Sequence, residues 1–192
     1  MKKNRSDFEK LKEALKLHQE GHLDMAEAIY EKLIESHEMR FDAFHLLGSI
    51  KINQGKIDDA IALFKNAILV RRDYAPVHFK LGNAYIGLLK QFDAIDAYKE
   101  CLSIDPHHQA AKYNLANTYL SIGKLATAYE IYNVLLDENP QHQGALINKA
   151  TILENKKSYD EAINLYKQVL EINPDNRIAN NNRTAIIVPP PK

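Results

Sequence analysis

The sequence predicts an all-α fold of five stacked antiparallel helix pairs followed by one C-terminal capping helix. Three observations carry this. Pro106, Pro140 and Pro174 lie 34 residues apart, each after Asp or Asn. Ala26, Ala60, Ala94, Ala128 and Ala162 keep the same period, and four residues after each stands an aromatic: Tyr30, Phe64, Tyr98, Tyr132 and Tyr166. A third column, Ala14, Gly48, Gly82, Ala116 and Ala150, contains only the two smallest residues. A fixed period of this length signals supersecondary units that bury their apolar faces against neighbouring copies.

Each element follows from local chemistry. Residues 1–6 are expected to be a flexible N-terminus. The repeats span 7–40, 41–74, 75–108, 109–142 and 143–176, each with two amphipathic helices, A and B, around a short polar turn. Gly21, Gly55 and Gly123 stand where helix A stops, because glycine accepts the left-handed C-terminal conformation. The third repeat has Leu89 there, so a locally rewound turn is expected. Small residues on helix A and alanine on helix B let the pair approach closely, and the aromatic column is expected to fill the gap to the next repeat. Proline ends helix B by pushing its preceding residue out of helical geometry. Residues 177–187 begin like another helix A with no helix B after it. The polar run Asn180 to Arg183 suits a capping face, and Val188 to Lys192 is expected to be an extended Pro-rich tail.

These columns resemble the tetratricopeptide repeat, from residue 7 to 176 without a gap. The resemblance implies a right-handed superhelical solenoid whose A helices line a concave groove, with positions 2, 5, 6, 9, 12 and 13 of each pointing inward. It also implies a role in protein binding. The family's usual aromatic in helix A is present as Tyr85 and Tyr119 but replaced by Lys51 and Leu153, and Glu38 and Arg72 replace the closing proline in the first two repeats.

Bulk properties narrow the partners. Lys plus Arg number 25 and Asp plus Glu number 25 in 192 residues, which argues against nucleic acid or an anionic membrane surface. No apolar run is long enough to cross a bilayer and no secretory signal is visible, so a cytoplasmic location without membrane insertion is expected. Cys101 is the single cysteine and occupies a small-residue position of helix B, so it reads as inert packing. His18 and His22 have ligand spacing, but Gly21 interrupts the helix between them. His107 and His108 read as a solvated loop. No catalytic, cofactor-binding or metal-binding constellation is found, and the chain does not read as an enzyme.

The candidate peptide-binding residues are the inward positions Phe79, Lys80, Asn83, Tyr113, Asn114, Asn117, Ile147, Asn148, Thr151 and Asn182. Asn114, Asn148 and Asn182 are 34 residues apart, and Asn83 and Asn117 form a second row. Asparagine is a mediocre helix former, but its amide pairs with a peptide unit in both directions. A ladder of them is similar to that in the repeat domains of O-linked N-acetylglucosamine transferases. It implies an extended peptide held by its backbone, with Phe79, Tyr113 and Ile147 receiving side chains. The cation pair of chaperone-tail clamps is missing. Two other functions remain open: a targeting module of a glycosyltransferase or sulfotransferase, whose bacterial repeats resemble Ala43 to Gly48, and a self-associating scaffold.

Overall fold

The computed structural model describes residues 6–187; most of the expected flexible N-terminus and the whole Pro-rich tail lie outside the described residues. Within them the chain is all-α, with eleven helices and no strand. It divides into two compact units, Met1–His107 and His108–Lys192. In the first unit the A/B pairs are α1 (Asp7–Gln19) with α2 (Leu23–Leu33), α3 (Arg40–Asn53) with α4 (Ile57–Val70), and α5 (Ala75–Gly87) with α6 (Gln91–Ile104). The second unit pairs α7 (Gln109–Ser121) with α8 (Leu125–Glu138) and α9 (Gln143–Asn155) with α10 (Tyr159–Ile172). Against α10 packs a single last helix, α11 (Arg177–Ile187).

Helix starts follow capping chemistry. Ser6 and Glu9 form a capping box at α1, satisfying two otherwise orphaned N–H groups. Pro76 occupies the first turn of α5, where its missing N–H costs nothing. Asn176 Oδ1 accepts from the Ala179 amide at the start of α11. His108 and His142 cap α7 and α9 through ring Nδ1, which accepts from the Ala111 and Ala145 amides at 3.1 Å. His108 is therefore a helix cap and not the solvated loop residue that the sequence suggested.

Gly21, Gly55 and Gly123 have φ of +82°, +74° and +76°. Leu89 and Lys157 take the same left-handed conformation at φ 56° and 62°. The third turn is not rewound: Lys90 N donates to Tyr85 O at 2.9 Å, as Lys124 N does to Tyr119 O in the fourth. Stacking dictates the turn, and Leu89 bears the steric cost.

The Ala column of the B helices is fully buried, as are Tyr30, Phe64, Tyr132 and Tyr166, with Tyr98 at 1% exposure. Each such aromatic contributes about 1.5–3 kcal/mol by leaving water. The ring lies across the small residue of its own helix A. A Cβ added to Gly48 would sit 2.6 Å from Phe64 Cε1, and one added to Gly82 would sit 2.5 Å from Tyr98 Cε1. The aromatic column thus closes its own pair first, a correction to the expected inter-repeat filling. Cys101 is fully buried, and burial pushes its thiol up to about 11, so it stays protonated.

Where the family aromatic is replaced, the second repeat substitutes an ion pair. Lys51 Nζ meets Glu27 Oε1 at 2.5 Å, and Gln54 Nε2 donates to Glu27 Oε2 at 2.6 Å. A second pair, Lys112 with Glu138 at 2.5 Å, covers a lysine side chain only 7% exposed.

Candidate functional site

The face lined by the A helices carries the polar residues of interest, and buried tyrosine hydroxyls organise them from below. In the first unit Tyr98 OH donates to Asn83 Oδ1 at 2.7 Å. In the second, Tyr132 OH donates to Asn117 Oδ1 at 2.5 Å, while Asn148 Nδ2 donates to Asn117 Oδ1 at 2.8 Å and lies 3.1 Å from Tyr132 OH. Tyr166 OH donates to the Glu154 carboxylate, lies 3.3 Å from Thr151 Oγ1, and accepts from Asn182 Nδ2 at 3.1 Å. These are recurring nodes, because each tyrosine follows one polar A-face residue by 15 positions and precedes another by 16. Burial raises the pKa of Tyr132 and of Tyr166, so both hydroxyls remain donors.

The second unit brings Tyr113, Asn117, Asn148, Thr151 and Asn182 into such contacts. Tyr113 OH is 3.5 Å from Asn148 Nδ2, and its ring packs against His142 at 4.8 Å and Tyr132 at 6.3 Å. Gly144 is required beside it, since an added Cβ would lie 2.6 Å from Tyr113 OH. Asn114 and Ile147 are half-buried on the same helices, their backbone carbonyls accepting from Thr118 and Thr151. In the first unit Phe79 packs 6.0 Å from Tyr98, and Lys80 Nζ donates to Ser49 Oγ at 2.7 Å. Asn117, Asn148 and Asn182 are half-buried participants in the fold, unlike the solvent-facing ladder suggested by the sequence. Asn83 alone of the five is exposed.

Sequence reasoning treated the tyrosines as apolar filling and missed their hydroxyls. The signal was present. Tyr98, Tyr132 and Tyr166 have Asn or Thr 15 residues earlier and Asn 16 later, whereas Phe64 has Ser49 and Lys80 there. Tyr30 has Leu15 and Leu46 at those positions, and its hydroxyl is buried without a hydrogen-bond partner. Burial pushes that hydroxyl up to about 12.

The described residues contain no group of three His, Cys, Asp or Glu placed to hold a metal ion, and no helix long and apolar enough to cross a membrane. α1 ends at Gln19, and His22 stands beyond the left-handed Gly21.

Tandem antiparallel helix pairs with a polar, aromatic-bearing A face define a helical-repeat scaffold, a class suited to protein–protein interaction. Family comparison is specific. The model described as "Tetratricopeptide repeat" matches residues 90–149 and 123–180, and that described as "TPR repeat" matches 48–88. The chain belongs to the tetratricopeptide-repeat proteins. Among solved structures it is similar to YrrB, described as a TPR protein with an unusual peptide-binding site, at 17% identity and TM-score 0.81, covering 93% of this chain and 92% of that one. It is similar to MamA at 25% identity and TM-score 0.79, covering 84% and 94%. A tetratricopeptide repeat protein from Parabacteroides merdae matches at 19% identity and TM-score 0.83, covering 94% and 72%. The likenesses at 17% and 19% identity bear on the fold alone. No curated protein matches the sequence.

Proposed function

We propose that the A-helix face binds an extended segment of a partner protein, chiefly through the partner's backbone. The observation that carries this is the Asn117–Tyr132–Asn148 node. Three mutual hydrogen bonds fix both amides, yet Asn148 Oδ1 and Asn117 Nδ2 take part in none of them. One acceptor and one donor are thereby preoriented for a peptide N–H and C=O, which lowers the ordering cost of binding. Asn182, anchored on Tyr166 through its Nδ2, offers a further acceptor of the same kind. Tyr113 and Ile147 supply apolar surface beside the node, and Phe79, Lys80, Asn83, Asn114 and Thr151 complete the candidate set. YrrB's described peptide-binding site supports the use of this fold for peptides.

Random dodecapeptides displayed on phage and selected on the full chain test the reading. A selected peptide should lose at least tenfold in affinity when one central amide is N-methylated, while single side-chain replacements cost less. It should also weaken against Asn148→Ala. Indifference to N-methylation at every position would refute backbone capture.

A further inference from the structure

Lys80 stands apart from the other A-face residues of the first unit. Its ammonium is half-buried and held by the neutral Ser49 hydroxyl, and no carboxylate of the described residues lies within ion-pairing distance. A cation withdrawn from water normally has a counter-charge. The lysines of the chain that are most shielded elsewhere, Lys51 and Lys112, each have one, in Glu27 and Glu138. Burial lowers the Lys80 pKa, with no acid nearby acting to raise it.

Other unused groups surround the same place. His45 Nε2 and Tyr30 OH are buried without partners. The charge of Lys80 reaches both His45 and His18, whose rings burial holds toward the neutral form. A neutral imidazole still presents one N–H donor. Beside Lys80 opens a cavity of about 330 Å³, with Ile52, Ile57, Phe64 and Ala84 as apolar walls and Ser49 at its polar end.

We propose that this pocket takes a peptide carboxylate, with Lys80 Nζ as its counter-ion and the Ile52–Ile57–Phe64 cavity receiving the adjacent apolar side chain. One fixed positive charge matches a monoanion better than a dianionic phosphate. Ser49 Oγ, which already accepts from Lys80, can turn its own hydroxyl hydrogen to the second carboxylate oxygen. The carboxylate comes from a chain terminus or from an acidic side chain next to an apolar one; both present the same group. The proposal builds on peptide binding by the A face but is separable from the amide nodes, because Lys80 lies in the first unit and Asn148 in the second.

The test titrates three hexapeptides of glycine and alanine into the full chain, followed by NMR of labelled lysine and histidine side chains. One ends in leucine with a free carboxylate, the second is its C-terminal amide, and the third is an amidated peptide with an internal Glu-Leu pair. The free acid should bind at least tenfold tighter than the amide. Lys80→Met, which keeps the apolar stem, should erase that difference, and Asn148→Ala should leave it intact. Equal capture of the internal Glu-Leu peptide supports the site and assigns a side-chain source. Equal affinity for acid and amide in the unmutated protein overturns the proposal, as does persistence of the preference in Lys80→Met. Stronger competition by inorganic phosphate than by acetate overturns it too. Failure of every peptide to bind would count against the peptide-binding function as a whole, whereas loss of the acid preference alone removes only this site.

Discussion

Replacing Leu89 by glycine should stabilise the protein although it deletes a large side chain. Leu89 sits at φ 56° in the turn between α5 and α6, where an L-residue's Cβ crowds the following carbonyl. That conformation costs about 1–2 kcal/mol, and glycine removes the cost. Glycine's extra freedom in the unfolded chain takes back about 0.4–1 kcal/mol. No packing is lost, because the leucine is 78% exposed. The net gain is about 0.5–1 kcal/mol, or roughly 1–4 °C in melting temperature for a chain of this size. Gly123→Ala supplies the converse. Its φ is +76° and an added Cβ meets nothing within 4 Å, so the loss is backbone strain alone, about 1 kcal/mol. Stacked repeats couple mainly to their neighbours, so thermal melts should be accompanied by native-state hydrogen exchange across residues 75–104, where slowing in Leu89→Gly is expected. A lower melting temperature for Leu89→Gly, or a neutral Gly123→Ala, would refute the claim that stacking imposes this turn against local preference.

Gly82→Ala should cost about 1–3 kcal/mol in chemical denaturation, since the new Cβ lies 2.5 Å from a Tyr98 ring tethered to Asn83. Gly48→Ala should cost less, because Phe64 has no such tether; equal costs would disprove the tether's role. A double-mutant cycle of Asn148→Ala with Tyr132→Phe should give a coupling of about 0.5–1.5 kcal/mol in stability, and zero coupling would dissolve the node. Burial, aided by Lys80 and Arg71, depresses His45 from 6.5 to about 4. The unfolded chain therefore binds the extra proton between these values. Stability is fully present above about pH 6.5 and falls as the pH drops toward 4, by at most about 1.4 kcal/mol per unit, less for residual solvent screening. His45→Asn should flatten the denaturation midpoint across that window, and an unchanged profile would exclude His45 as the source.

The repeat, its helix pairs and most of the core were determined by the sequence itself, because a helical repeat is built from local contacts. The periods of Ala26 to Ala162 and Tyr30 to Tyr166 map directly onto burial when every unit meets an equivalent neighbour. Glycine marked three of the turns for the same reason. The remaining turns were decided by tertiary stacking, which holds Leu89 and Lys157 in a conformation that their own preferences oppose. The candidate site was legible as residue identities and spacing, but not as chemistry. Whether Asn148 offers its amide to a ligand or to the protein depends on where the Tyr132 hydroxyl lies, and that is set by a contact 16 residues away. The isolation of Lys80 likewise has no signature in composition. The chain's balanced charge leaves acids enough for every lysine, and only the packing of α3 against α5 leaves this one without a carboxylate.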